Sequence, residues 1–232
     1  MRDFVIVHGA WDGGWYWKDT AAGLRKLGHD VYTPSLTGLG DRTHLATRET
    51  DLDTHVEDIV NVILYEDLQD VLLVGHSYGG WVATGVAEWI PERIGRLIYV
   101  DALVPFEDGQ AVTDVYDEAL IEQIEELADA YGDGWKVPYP VSPASDSRFS
   151  AHPLKTFTQP LKLGNPDAEK LKRCYVACTG REDLPLYQVV EQMASRAKEL
   201  GWGYFELPTG HNPNESMPGE TALLLDRVAK DC

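Results

Sequence analysis

Val71-Leu72-Leu73-Val74-Gly75-His76-Ser77-Tyr78-Gly79-Gly80-Trp81-Val82-Ala83 decides the fold. An apolar run ends in Gly-His-Ser-Tyr-Gly-Gly, and a helical pattern follows. The reading is a buried strand, a very tight turn with Ser77 at its apex, and then a helix. A serine in such a strained turn has backbone folded back on both sides, so its neighbours at minus two and plus two must lack a Cβ. Gly75 and Gly79 meet that need, and Gly80 lets strand and helix pack closer still. This is the form of a nucleophile elbow.

Outward from the elbow, strands and helices alternate. Phe4-Val5-Ile6-Val7-His8-Gly9 is a buried strand ending at a glycine, followed by the Gly-rich loop Ala10-Trp11-Asp12-Gly13-Gly14-Trp15. Helical spacing from Trp15 to Leu27 stops at Gly28. His29 to Pro34 is a second strand. Thr54 and Glu57 form a capping box before a helix whose one face carries Val56, Ile59, Val60, Ile63 and Leu64. The elbow helix ends at Pro91, and Arg96-Leu97-Ile98-Tyr99-Val100-Asp101 is the fourth strand. The pattern resumes with strand Cys174 to Cys178, a helix near 186–200, strand Tyr204 to Leu207 and a last helix from Pro218. The expected fold class is α/β, a mostly parallel sheet flanked by helices. Residues 103–165 break the alternation with an acidic amphipathic segment (Leu120, Ile121, Ile124, Leu127, Tyr131) and a proline-rich stretch. We read 1–102 and 166–232 as the core, and 103–165 as a lid over the sheet's carboxyl edge.

The 232 residues are 44% hydrophobic and 25% charged, enough for one full core. A net charge of -18 argues against a nucleic-acid partner and against anionic membranes. No apolar run reaches the ~20 residues of a membrane span. Met1 leads almost directly into a strand, without a signal-peptide pattern. Three cysteines make no disulfide framework, and Cys174 and Cys178 read as small core residues. A cytoplasmic location is expected. Neither a metal-ligand spacing nor a phosphate loop is visible, so no cofactor is expected. A homodimer is compatible with the sequence, which does not define the assembly.

A serine hydroxyl needs a base. His211, in Leu207-Pro208-Thr209-Gly210-His211-Asn212, follows the last strand and can reach the elbow. His8 and His76 are expected to support loops beside the site. His29, His44, His55 and His152 are expected at the surface or in loops. The base needs a carboxylate, and two places offer one: Glu182 or Asp183 in the turn after the next-to-last strand, and Asp101 at the end of the fourth. A carboxylate ending a buried apolar strand is costly unless partnered, which favours Asp101. The oxyanion requires two amides: that of Tyr78 after the nucleophile, and that of Ala10 after Gly9, with Trp11 as the alternative. Trp11, Trp15, Trp135 and Tyr78 are candidates to line the substrate pocket, with Trp11 and Trp135 foremost.

Together, the stretch from Val7 to Trp15, the elbow and the late Thr-Gly-His resemble the α/β-hydrolase superfamily. Within it they are similar to small serine esterases related to plant methyl-ester esterases and hydroxynitrile lyases. The resemblance spans the chain outside 103–165. It implies a cofactor-free serine hydrolase with Ser77 as nucleophile, His211 as base, and Ala10 and Tyr78 as oxyanion donors. The chain departs from the plant pattern at the acid turn, where Gly180-Arg181-Glu182 intrude. It carries Asp101 instead, as haloalkane dehalogenases and some lactone hydrolases carry their acid after this strand. The lysine that follows the histidine in the plant lyases is replaced here by Asn212-Pro213-Asn214-Glu215, so lyase activity is not expected. The expected reaction is cleavage of a small to medium apolar or aromatic ester or lactone through an acyl-enzyme. Thioester, amide, carbon–carbon cleavage or cyclisation on the same residues is the alternative, as is a slow-turnover ligand-binding protein.

Overall fold

Alternate residues of the central strands face opposite helical layers, and this period of two organises the molecule. The computed structural model describes residues 1–139, 148–180 and 185–231. In chain order the elements are β1 (Asp3–Val7), α1 (Lys18–Lys26), β2 (Asp30–Tyr32), α2 (Leu52–Tyr65), β3 (Val71–His76), α3 (Gly79–Trp89) and β4 (Ile94–Val100). Then come α4 (Glu118–Tyr131), β5 (Lys136–Val137), β6 (His152–Pro153), α5 (Lys155–Thr158) and α6 (Pro166–Glu169). The chain closes with β7 (Arg173–Cys178), α7 (Pro185–Glu199), β8 (Gly203–Leu207), α8 (Pro213–Ser216) and α9 (Pro218–Asp231). The main sheet runs β2-β1-β3-β4-β7-β8, and every neighbouring pair is parallel. The order reverses between β1 and β3, which opens a crevice at their carboxyl ends.

Phe4, Ile6, Leu72, Val74, Ile98 and Val100 pack against Trp17 and Leu24 at one end of the chain and Leu225 and Val228 of α9. Val5, Val7, Leu73, Leu97 and Tyr99 face the other layer, with Val56 and Ile59 of α2, Val82 and Val86 of α3, and Met193 of α7. With both faces covered, these strands read as continuous apolar runs. Cys174 and Cys178 are buried in the core, as the sequence suggests.

Local signals differ in two places from the sequence expectation. The segment from Trp15 opens with a 3-10 turn over Gly14–Trp17 before α1 begins. Helix α2 starts earlier than a Thr54 cap would place it. Asp51 is the N-cap: its carboxylate accepts from the Thr54 amide at 3.1 Å, and the Thr54 hydroxyl closes the box. Aspartate outcompetes threonine because its longer-reaching charged oxygen also meets the helix dipole.

Between β4 and β7, α4 buries Ile124 and Ala128, while Tyr131 at its last position is 78% exposed. β5 and β6 pair antiparallel as a separate two-stranded ribbon. Among the described residues no helix is long and apolar enough to cross a membrane.

Candidate active site

Ser77 follows directly on β3 with φ +52°, a left-handed conformation that a serine adopts only when its surroundings compel it. Those surroundings are specific. Its carbonyl accepts from the amides of Gly80 (3.1 Å) and Leu103 (3.0 Å). A Cβ on Gly75 would lie 2.6 Å from the Gly79 carbonyl oxygen, and one on Gly79 would lie 2.4 Å from that of Val7. The turn therefore closes only with glycine on both sides.

Asp101 stands at the corresponding end of β4, fully buried, with φ +43°. Its amide donates to the Val176 carbonyl at 2.8 Å. Its Oδ1 accepts from the Cys178 amide at 2.9 Å, and its Oδ2 lies 2.7 Å from Nδ1 of His211. These bonds offset the cost of burying a carboxyl group at this position. His211 sits on the loop after β8, with the Tyr187 ring 4.9 Å from its own on one side and the His76 ring 4.9 Å away on another. Because a carbonyl can only accept, His76 Nε2 is the donor in its 2.8 Å bond to the His211 carbonyl. Burial, and then the neighbouring His211, push the His76 imidazole down to about 3, so it is neutral. The alternative acids, Glu182 and Asp183, lie outside the described residues.

The loop after β1 lies against Ser77: a Cβ on Gly9 would come within 3.2 Å of Ser77 Cβ. Ala10 and Trp11 border the same cavity as Ser77. Trp11 has φ +64°, and its amide donates to His152 Nδ1 at 3.3 Å. That bond engages the Trp11 amide, whereas Ala10 borders the cavity of Ser77. The Trp11 indole donates to the Val137 carbonyl at 2.9 Å, and the Ser150 amide donates to the Trp11 carbonyl at 2.9 Å. The loop is thus pinned from the 103–165 segment.

The Tyr78 side chain turns away from the cavity into the core, where its hydroxyl donates to His55 Nδ1 at 2.9 Å. His55 in turn donates from Nε2 to the Thr37 carbonyl at 2.9 Å. The expectation of a surface or loop position fails for His55, buried in α2, and for His152, buried in β6; His29 lies in a loop but is buried, and His44 is exposed. His55 and His152 find partners for both ring nitrogens, and His29 bonds Asp226 at 2.9 Å. Such pairing removes most of the penalty on burying an imidazole. Burial pushes His8 and His55 down to about 4, and His152 well below its ordinary value.

Ser77 and His211 border one cavity of about 80 Å³, together with Trp11, Asp12, Tyr139 and Tyr187. A second cavity of about 320 Å³ shares Tyr139 and Asn212 with it and adds Trp15, Tyr16 and Phe149. Trp135, expected as a pocket residue, is not among the walls of either. Its ring instead faces the Lys136 ammonium at 4.7 Å and the Arg48 guanidinium at 5.8 Å. Sequence reasoning missed Asp12, Tyr139 and Tyr187. An acid inside a Gly-rich loop beside the expected oxyanion site was a legible signal for Asp12. Tyr139 and Tyr187 lie on segments far from the motifs and carry none.

Residues 4–222 match the profile of the Alpha/beta hydrolase family. The chain is 37% identical to a "Carbendazim hydrolyzing esterase" of Nocardioides sp., covering 96% of this chain and 97% of that protein. It is 28% identical to "Methylesterase 18" of Arabidopsis thaliana, over 81% and 82% of the two chains. Among solved structures it resembles an extracellular alpha/beta-hydrolase from a Paenibacillus species, described as sharing structural and functional homology with tobacco salicylic acid binding protein 2. The TM-score is 0.81 at 26% identity, with full coverage of both chains.

Proposed function

The chain belongs to the alpha/beta hydrolase family and is a carboxylesterase-type hydrolase; on that premise we propose that Ser77, His211 and Asp101 carry out ester hydrolysis through an acyl-enzyme. His211 Nε2 takes the hydroxyl proton as Ser77 Oγ attacks the carbonyl. The amides of Ala10 and Tyr78 hold the oxygen that becomes negative. His211 then gives the proton to the leaving alcohol. A water molecule, deprotonated by the same nitrogen, attacks the acyl-enzyme; the proton passes to Ser77 Oγ as it leaves, which releases the acid and restores the hydroxyl. Asp101 keeps the proton of neutral His211 on Nδ1 and stabilises the imidazolium.

What carries this reading is the 2.7 Å contact between His211 and the fully buried Asp101, at the wall of the cavity that holds Ser77. A cavity of about 80 Å³ accommodates the reacting group alone, since small-molecule sites run to roughly 300–1,000 Å³. The neighbouring cavity extends it; four aromatic rings (Trp15, Tyr16, Tyr139, Phe149) line it beside charged groups such as Lys18, Arg148 and Glu215, and the rings support a small to medium substrate with an aromatic or apolar part. Residues 103–165 act as the lid, an assignment supported by the Val137 and Ser150 bonds to Trp11.

Methyl esters of aromatic acids, 4-nitrophenyl esters and carbendazim form the substrate panel, the last because of the bacterial relative's name. Ser77→Ala is expected to abolish turnover of every panel member that the wild-type protein cleaves. Turnover surviving in that variant overturns the proposal.

A further inference from the structure

Asp12 is a buried acid at the reacting centre that the mechanism above leaves without a task. It is 5% exposed and borders the cavity of Ser77 and His211. Gly9 reports how close it is. From the position a Cβ would take on that residue, Asp12 Oδ2 is 3.1 Å away, Ser77 Cβ 3.2 Å and His76 Nδ1 3.2 Å. The carboxyl group and the nucleophile therefore flank one glycine. The loop that carries Asp12 is fixed before substrate arrives, by the bonds of Trp11 already described and by the Gly14 amide donating to Ser35 Oγ at 2.9 Å.

We propose that Asp12 is a specificity-determining substrate contact: its carboxyl group donates a hydrogen bond to an acceptor atom within a few bonds of the scissile carbonyl. This deepens the serine-esterase reading and rests on it. The enzyme then prefers esters with an ether oxygen, amide oxygen or azole nitrogen near the carbonyl over hydrocarbon esters of the same shape. A carboxylate cannot donate, whereas a carboxylic acid can. The surroundings favour the acid. Burial raises the Asp12 group well above the carboxylate range, and the negative Glu215 adds to that; the Gly9 amide opposes both. His76, the imidazole beside it, is neutral and supplies no offsetting charge.

The test uses two pairs of isosteric substrates: 4-nitrophenyl methoxyacetate against 4-nitrophenyl butyrate, and 2-methoxyethyl against butyl benzoate. Within each pair kcat/KM is divided by the rate of alkaline hydrolysis, which removes intrinsic reactivity. In the wild-type protein the ether member of at least one pair is favoured, by about 10-fold for one neutral hydrogen bond. Asp12→Ala removes that preference. Asp12→Asn, whose amide also donates but never ionises, restores it to within about 3-fold. A purely structural role would lower both members of a pair alike, so unchanged discrimination in Asp12→Ala overturns the proposal. Loss of discrimination in Asp12→Asn equal to that in Asp12→Ala also overturns it, because a donor at this position then does not account for the preference. Ser77→Ala, run beside them, tests the nucleophile separately. Turnover surviving there overturns the esterase reading and this one with it. Ser77-dependent turnover with unaltered discrimination overturns only the role of Asp12.

Discussion

His211 Nδ1 and Asp101 Oδ2 lie 2.7 Å apart although 110 residues separate them in the chain. The contact exists because β4, β7 and β8 are adjacent and parallel, so β4 and the loop after β8 deliver both side chains to one edge. Asp101 is held by more than its histidine: the Cys178 amide at the end of β7 donates to its other oxygen at 2.9 Å. The orientation of the carboxyl group is thus fixed by backbone, and the imidazole is fixed by the carboxyl group.

Asp101→Asn is expected to keep the fold and lower kcat by about 10²–10⁴-fold. The asparagine oxygen takes the Cys178 bond, and its NH₂ then faces His211 Nδ1. That forces the histidine proton onto Nε2, where it blocks acceptance of the serine proton. Asp183→Asn, by contrast, is expected to leave kcat within about 3-fold. Steady-state kinetics of the two variants decide the matter: normal turnover in Asp101→Asn with loss in Asp183→Asn would assign the acid to the other turn.

The physical origin of these contacts explains which parts of the site were legible. Gly75, Ser77 and Gly79 declare themselves because backbone sterics dictate their spacing. Asp101 is readable because an acid closing a buried apolar strand demands a partner. His55 and His152 are not readable that way: a buried histidine needs two partners, and those that serve them, the Thr37 carbonyl in a loop and the Thr156 hydroxyl in the four-residue α5, lie on segments too short or irregular to show a period. Trp11 and Trp135 carry the same letter, yet one borders the cavity and the other stacks beneath two cations. Only tertiary packing separates them.

That separation predicts different behaviour. Trp11→Ala removes a wall of the cavity and the bond to Val137, and is expected to lower kcat/KM by about 10-fold or more. Trp135→Ala removes a partly buried ring outside the cavity and is expected to change kcat/KM by less than about 3-fold. Equal losses in the two variants would mean that Trp135 belongs to the substrate surface after all.

Gly79→Ala is expected to destabilise the protein by about 3 kcal/mol or more, because the new methyl would press on the carbonyl oxygens of both Val7 (2.4 Å) and His8 (2.6 Å). Backbone on both sides leaves nothing that can rotate away. Gly28→Ala meets open space but holds φ at +92°, and is expected to cost about 1 kcal/mol. Urea unfolding compares the two, and a Gly79→Ala loss no larger than that of Gly28→Ala would contradict the tight closure of the elbow.

Stability is expected to fall steeply as the pH drops below about 6.5, the ordinary histidine value. His8 and His55 are pushed down to about 4, His76 to about 3 and His152 well below normal, all by burial first. In that window the unfolded chain binds a proton on each of these four rings and the folded chain does not. Their contribution is therefore complete above 6.5 and is lost as the pH falls towards 4. Asp12 acts in the opposite sense. Its folded value is raised, so it stabilises at low pH and costs stability as the pH rises past about 3.9, where the unfolded carboxyl ionises. Four protons taken up and one offset leave a slope of up to about 4 kcal/mol per pH unit. Urea unfolding at pH 7.5, 6.0 and 5.0 measures it, and His55→Gln is expected to reduce the slope by about one proton. An unfolding free energy that stays level between pH 7.5 and 5.0 would show that these imidazoles protonate within the folded protein, against the burial seen at each ring.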